Sequence, residues 1–204
     1  MTLLQLVKDG LLPVTAIFAV VLFALKEIIE ARRRKKASEL KLKALKELLA
    51  IECQRNKWAL DWLRRAANDI KDALKMGYDI SIRTTASGTN RLHFERGKRQ
   101  HGSSPVPTAF DEFMKEYLFE AASLDKHVFA KMSKAIWAVE EIRHLLRGLI
   151  EYVRDEARHL GGWAEYAEVE VNKIEAELGK LYFTCCGTSD IPAMVRPFPY
   201  QDKD

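Results

Sequence analysis

Cysteine is scarce in this chain, and proline and glycine are bunched rather than spread. Among 204 residues there are three cysteines, Cys53, Cys185 and Cys186. An odd set makes no framework of paired bridges and accords with a reducing compartment. Between Ser38 and Met76 there is neither proline nor glycine, so nothing interrupts a stretch rich in Ala, Leu, Lys, Glu and Arg, and one long helix is predicted. Sequence motifs are missing too: G-x-x-x-x-G-K-[ST], G-x-G-x-x-G after a strand, G-x-S-x-G, H-E-x-x-H and C-x-x-C are all absent. Together these absences argue against nucleotide, dinucleotide, serine-hydrolase, zinc-protease and dithiol chemistry. A non-enzymatic protein without cofactor is the expectation.

Charge of one sign is lacking in particular places. The formal net charge is only +4. From Arg32 to Lys46, however, the one acid is Glu39, and from Ile80 to Ser104 the one acid is Glu95. From Thr108 onward acids outnumber bases. Two basic zones and an acidic helical remainder follow, a distribution that concerns partners rather than fold.

The one long apolar run is Leu11 to Ile29, closed by Arg32, Arg33, Arg34, Lys35 and Lys36. Counted over 10–29, with Lys26 and Glu27 reaching toward head groups, it predicts a single transmembrane helix of roughly 28 Å. The cations that follow place residues 1–9 outside a cell's inner membrane and the remainder in the cytoplasm, with 30–37 as a basic juxtamembrane segment holding anionic head groups of the lipid bilayer.

Beyond it, 38–77 reads as a stalk helix. Leu42, Leu45, Leu49, Ala59, Leu63, Ala66, Ile70 and Ala73 alternate in threes and fours, the seam of a coiled coil or bundle. Glu52 and Asn56 interrupt that seam and are expected to form a polar layer that fixes helix pairing. Gly77 ends the helix. Residues 78–97 then read as a β-hairpin, with Ile80, Ile82, Leu92 and Phe94 alternating about the turn ASGTN, and 98–108 as a loop. Residues 109–182 form further bundle helices: one starts near Ala109 under a Thr108 cap, and a long one from Ser133 is the expected antiparallel partner of the stalk. Gly161 and Gly162 mark a break before the last. Residues 183–204 are an extended tail.

The fold expected is thus mainly α: a single N-terminal transmembrane helix continuing into a long cytoplasmic helix, with an antiparallel helical bundle or coiled coil and one small β-hairpin. Glu-x-x-His occurs at Glu141–His144 and Glu156–His159, but on one helix about 22 Å apart, too far to share a metal; no metal site is expected. Arg83, Arg91, Arg96, Lys98 and Arg99 crowd the hairpin and loop and form the candidate anion-binding patch. The function expected is that of a membrane-anchored helical scaffold or assembly subunit working through protein contact or self-association. The alternative is a tethered anion or nucleic-acid binder using the basic hairpin and loop.

Overall fold

The breaker-free stretch gives one helix, α1, over Val14–Met76. The structure, a computed structural model, describes residues 14–97, 99–155 and 159–192, without the side chains of 14, 15, 17 and 99–101. Expectations for residues 1–13, Lys98, Glu156 and the tail past 192 lie outside the described residues. The other elements are β1 Asp79–Thr84, β2 Asn90–Arg96, β3 Arg99–Pro105, α2 Glu112–Glu116, α3 Leu118–Leu124, α4 Lys126–Arg154 and α5 Leu160–Cys186. The chain divides into two compact units, Met1–Ala44 and Leu45–Asp204, taken in turn below.

In the first unit the expected transmembrane helix is overturned. Among the described residues no helix is long and apolar enough to cross a membrane. The reason is visible in the register: a membrane-length stretch begun at Val14 already takes in Lys26, Glu27 and Glu30, and Lys26 and Glu30 face each other at 3.8 Å as an ordinary helix-surface pair. The single-pass reading, and the orientation drawn from it, fall with the span. What remains is a helical arm with Phe18, Val20, Val21, Leu22, Phe23, Leu25, Ile28 and Ile29 exposed.

In the second unit three long helices share one core: α1 from Leu45 onward, α4 and α5. The seam positions Leu45, Leu49, Ala59, Leu63, Ala66, Ile70 and Ala73 are buried, as are Val139, Ile142, Leu146 and Leu149 of α4 and Val171, Ile174 and Leu178 of α5. Polar contacts fix the directions. Along α1, Cys53 Sγ reaches Leu178 O (3.9 Å), Lys57 Nζ reaches Glu175 (2.9 Å), Arg64 reaches Asn172 (3.1 Å), and Lys71 pairs with Glu168. Numbers rise on one helix as they fall on the other, so α5 is the antiparallel neighbour of α1. Trp163 Nε1 donates to Leu145 O at 3.1 Å and Tyr166 Oη to Glu141 at 2.9 Å, so α4 is also antiparallel to α5. Helix α4 therefore runs parallel to α1 rather than against it, because the chain returns down the bundle through the sheet and α2–α3 before α4 begins.

The expected hairpin is two strands of a three-stranded antiparallel sheet, ordered β1-β2-β3. Its third strand lies in the segment read as a loop, which has no apolar alternation and is held by its ladder to β2. The register sets Ile82, Leu92 and Ser104 in one row, Ser81, His93 and Ser103 in the next, and Arg83, Arg91 and Pro105 in a third. Gly88, at φ +80° in the turn, takes a backbone conformation that a Cβ disfavours. Ile80 and Leu92 are buried, and β1 lies against α4. At the other end, α4 ends at Arg154 and α5 begins at Leu160, so the expected break falls just before Gly161 and Gly162, which lie in the first turn of α5.

Candidate functional site: the basic sheet, its groove and the polar clamp

Glu52 and Asn56 stand one turn apart on α1 with almost no exposure, at 1% and 0%. Side chains so buried must find partners, and both find them in the segment that follows the sheet. Asn56 Oδ1 accepts from Phe110 N (2.9 Å), while its Nδ2 donates to Phe110 O (2.6 Å) and to Glu52 O (3.0 Å). Glu52 accepts Phe113 N on Oε1 (3.0 Å) and Met114 N on Oε2 (2.9 Å). The first turn of α2 thus receives its cap from another helix. The residue at its own cap position, Asp111, makes no side-chain capping bond and is held instead by Arg143 at 2.5 and 2.6 Å and by Lys115 at 2.6 Å.

The charges follow the geometry. Burial raises the Glu52 carboxyl above the ordinary range, against the lowering effect of the Met114 and Phe113 amides. Asp111 is held below its ordinary range first by the Arg143 hydrogen bond and then by Lys115. Every charged or amide group in this clamp is engaged by the chain itself, which is the arrangement of a structural joint rather than of a reacting centre.

The arginines of the candidate patch are partly engaged. Arg83 pairs with Glu95 at 2.6 Å, Arg91 Nε donates to Ser103 Oγ at 3.0 Å, and Arg96 stacks over the Tyr78 ring with its guanidinium carbon 5.8 Å from the centroid. Arg83 and Arg91 are directly opposite each other across β1 and β2, a like-charge pair that costs stability unless counter-charge is near. Arg99 opens β3. Opposite Ser81 on β2, His93 is pushed to lower pKa, first by burial and then by Arg83. Ser81 Oγ and His93 Nδ1 are buried without hydrogen-bond partners among the described residues.

Beside β3 lies a groove of about 480 Å³, lined by Trp58, Trp62, Arg65 and Asp69 of α1 and by Ser104 and Pro105 of the strand. The two indoles, one turn apart on α1, form its wall. Nothing in the sequence alone linked them to 104–105, because the strand was not legible there.

The remaining sequence-derived positions lie elsewhere. Arg32, Arg33, Arg34, Lys35 and Lys36 are all exposed on the arm; Arg34 bonds Glu30 at 3.1 Å and Lys35 faces Glu39 at 4.0 Å. No group of three His, Cys, Asp or Glu among the described residues is placed to hold a metal, and Glu141 is engaged by Tyr166. Cys53 is buried, and burial drives its thiol upward; Cys185 is pushed to about 12 by the same cause. Neither has the lowered pKa of a nucleophilic thiol. Compared with models of protein families, with characterised proteins and with solved structures, the chain matches none.

Proposed function

We propose that this protein is a non-enzymatic helical scaffold that assembles with further copies of itself through the arm Phe18–Ile29. One observation carries the reading: Val20, Val21, Leu22 and Phe23 are consecutive and all about half exposed or more, from 49% to 67%. Successive residues on a helix point about 100° apart, so apolar surface covers the whole circumference, and a helix apolar all round is stable only when enclosed. A single neighbouring helix would cover one side, so several arms packed together are the natural enclosure.

Charge selects the arrangement. Parallel arms would set Arg32 to Lys36 of each copy side by side, which repels; antiparallel arms carry those cations to opposite ends. The self-satisfied polar clamp supports the scaffold reading as well, since it leaves the bundle stiff and its buried polar groups occupied.

Light scattering on the full chain at increasing concentration tests this. Self-association that Leu22→Glu and Leu25→Glu abolish, with the helical content of the bundle retained, is the expected result. A strictly monomeric chain, or one whose arm only adsorbs to lipid vesicles without self-association, would overturn the proposal.

A further inference from the structure

Strand β3 is the edge of the sheet, and its pairing shows which backbone groups are free. Val106 N donates to Asn90 O at 2.8 Å, so residues 90 and 106 form a hydrogen-bonded pair. In an antiparallel ladder such pairs alternate with non-bonded ones. With Leu92 opposite Ser104 and His93 opposite Ser103, the bonded pair is the first of these. Ser103 therefore turns its N–H and C=O outward, and so does Pro105 its C=O. The proline at 105 agrees with this parity, since its missing N–H falls on the side away from β2. An edge of this kind is a template for one more strand.

The surroundings define what that strand would be. The edge adjoins, at Ser104 and Pro105, the groove of about 480 Å³ walled by Trp58 and Trp62. Arg91, on the sheet face of Ser103 and Pro105, donates to Ser103, and Arg65, exposed, stands with Asp69 in the lining of the groove. Arg83 and Arg96 belong to the same sheet, in a stretch whose one acid between Ile80 and Ser104 is Glu95.

We propose that the free edge of β3 takes an extended acidic segment of a partner protein as a fourth strand, with alternate apolar side chains seated against Trp58 and Trp62. The site shares no residue with the arm. It rests on the scaffold reading only in taking the occupant to be protein.

The probe is a fluorescein-labelled Glu-Leu-Glu-Leu-Glu-Leu-Glu peptide, titrated onto the full chain by anisotropy, with amide exchange followed at Ser103. Saturable binding is expected, along with protection of the Ser103 amide on binding and at least tenfold weaker binding of the Lys-for-Glu counterpart. Arg65→Glu, an exposed change that leaves the core alone, and Trp58→Ala should each weaken binding about tenfold with helical content intact. Leu22→Glu should leave binding unchanged, which separates a failure here from a failure of the arm. Absent binding, binding without protection of Ser103, or insensitivity to both groove variants would overturn the proposal. So would tighter capture of a single-stranded oligonucleotide by the same residues.

Discussion

Glu52→Ala is the sharpest probe of how this fold is closed. The wild-type carboxylate receives Phe113 N at 3.0 Å and Met114 N at 2.9 Å in a position 1% exposed. Alanine leaves two buried amides without an acceptor, each costing about 1–3 kcal/mol. Relaxation of the segment toward water recovers part of that, so a loss of about 2–4 kcal/mol is expected, against which removal of the carboxylate's own desolvation is a partial offset. Asn56→Ala removes the bonds to Phe110 and should cost about 1–3 kcal/mol. Both side chains hold the same stretch, 110–114, so once one is gone the other has less to hold. The double variant should fall short of the sum by about 1 kcal/mol or more. Urea unfolding of the full chain, followed by tryptophan fluorescence at pH 7, measures all three. A Glu52→Ala loss under about 0.5 kcal/mol, or strict additivity with Asn56→Ala, would refute the clamp as the joint between sheet and bundle.

Acid should expose Asp111. Its folded-state pKa is depressed by Arg143 and then Lys115, so its stabilisation is present above its unfolded value near about 3.9 and is lost as pH falls through the lower folded value. Asp111→Asn should cost about 1.5–3 kcal/mol at pH 7 and flatten the acid limb of a stability-versus-pH curve; an unchanged limb would sink that assignment. Glu52 acts with the opposite sign. Its raised pKa means that ionisation costs the folded state stability as pH climbs from the unfolded value toward the folded one. Gly148→Ala, inside α4, should stabilise by about 0.5–1 kcal/mol, because helical glycine carries that entropic cost and the added Cβ would sit 3.6 Å from Trp163, an ordinary contact; thermal melting checks the sign.

The helical seam was legible because burial writes a period into sequence: Leu49, Ala59, Leu63 and Ile70 recur on one face and lie in the core. The strand pairing around ASGTN was legible for the same reason, through Ile80, Ile82, Leu92 and Phe94. Strand β3 was hidden, since RQHGSSP has no apolar alternation and owes its shape to the ladder with β2. The break before the last helix was legible in Gly161 and Gly162, which lie in the first turn of α5 directly after the interruption between Arg154 and Leu160. The polar interruption at Glu52 and Asn56 was visible as an anomaly, but its partners sit more than fifty positions away and carry no local signal. The apolar run before Arg32 promises more than the helix delivers: among the described residues the helix begins at Val14 and meets Lys26, Glu27 and Glu30 within a membrane's length.

The segment between Pro105 and Glu112 has a mechanical consequence. It is the sheet's short tether back to the bundle, and its end is fastened to α1 at Glu52 and Asn56. A load applied to the outer strand is therefore delivered to Asn56 and Glu52 rather than dissipated in a slack connector, so whatever grips the sheet is felt several turns inside the longest helix rather than at its end.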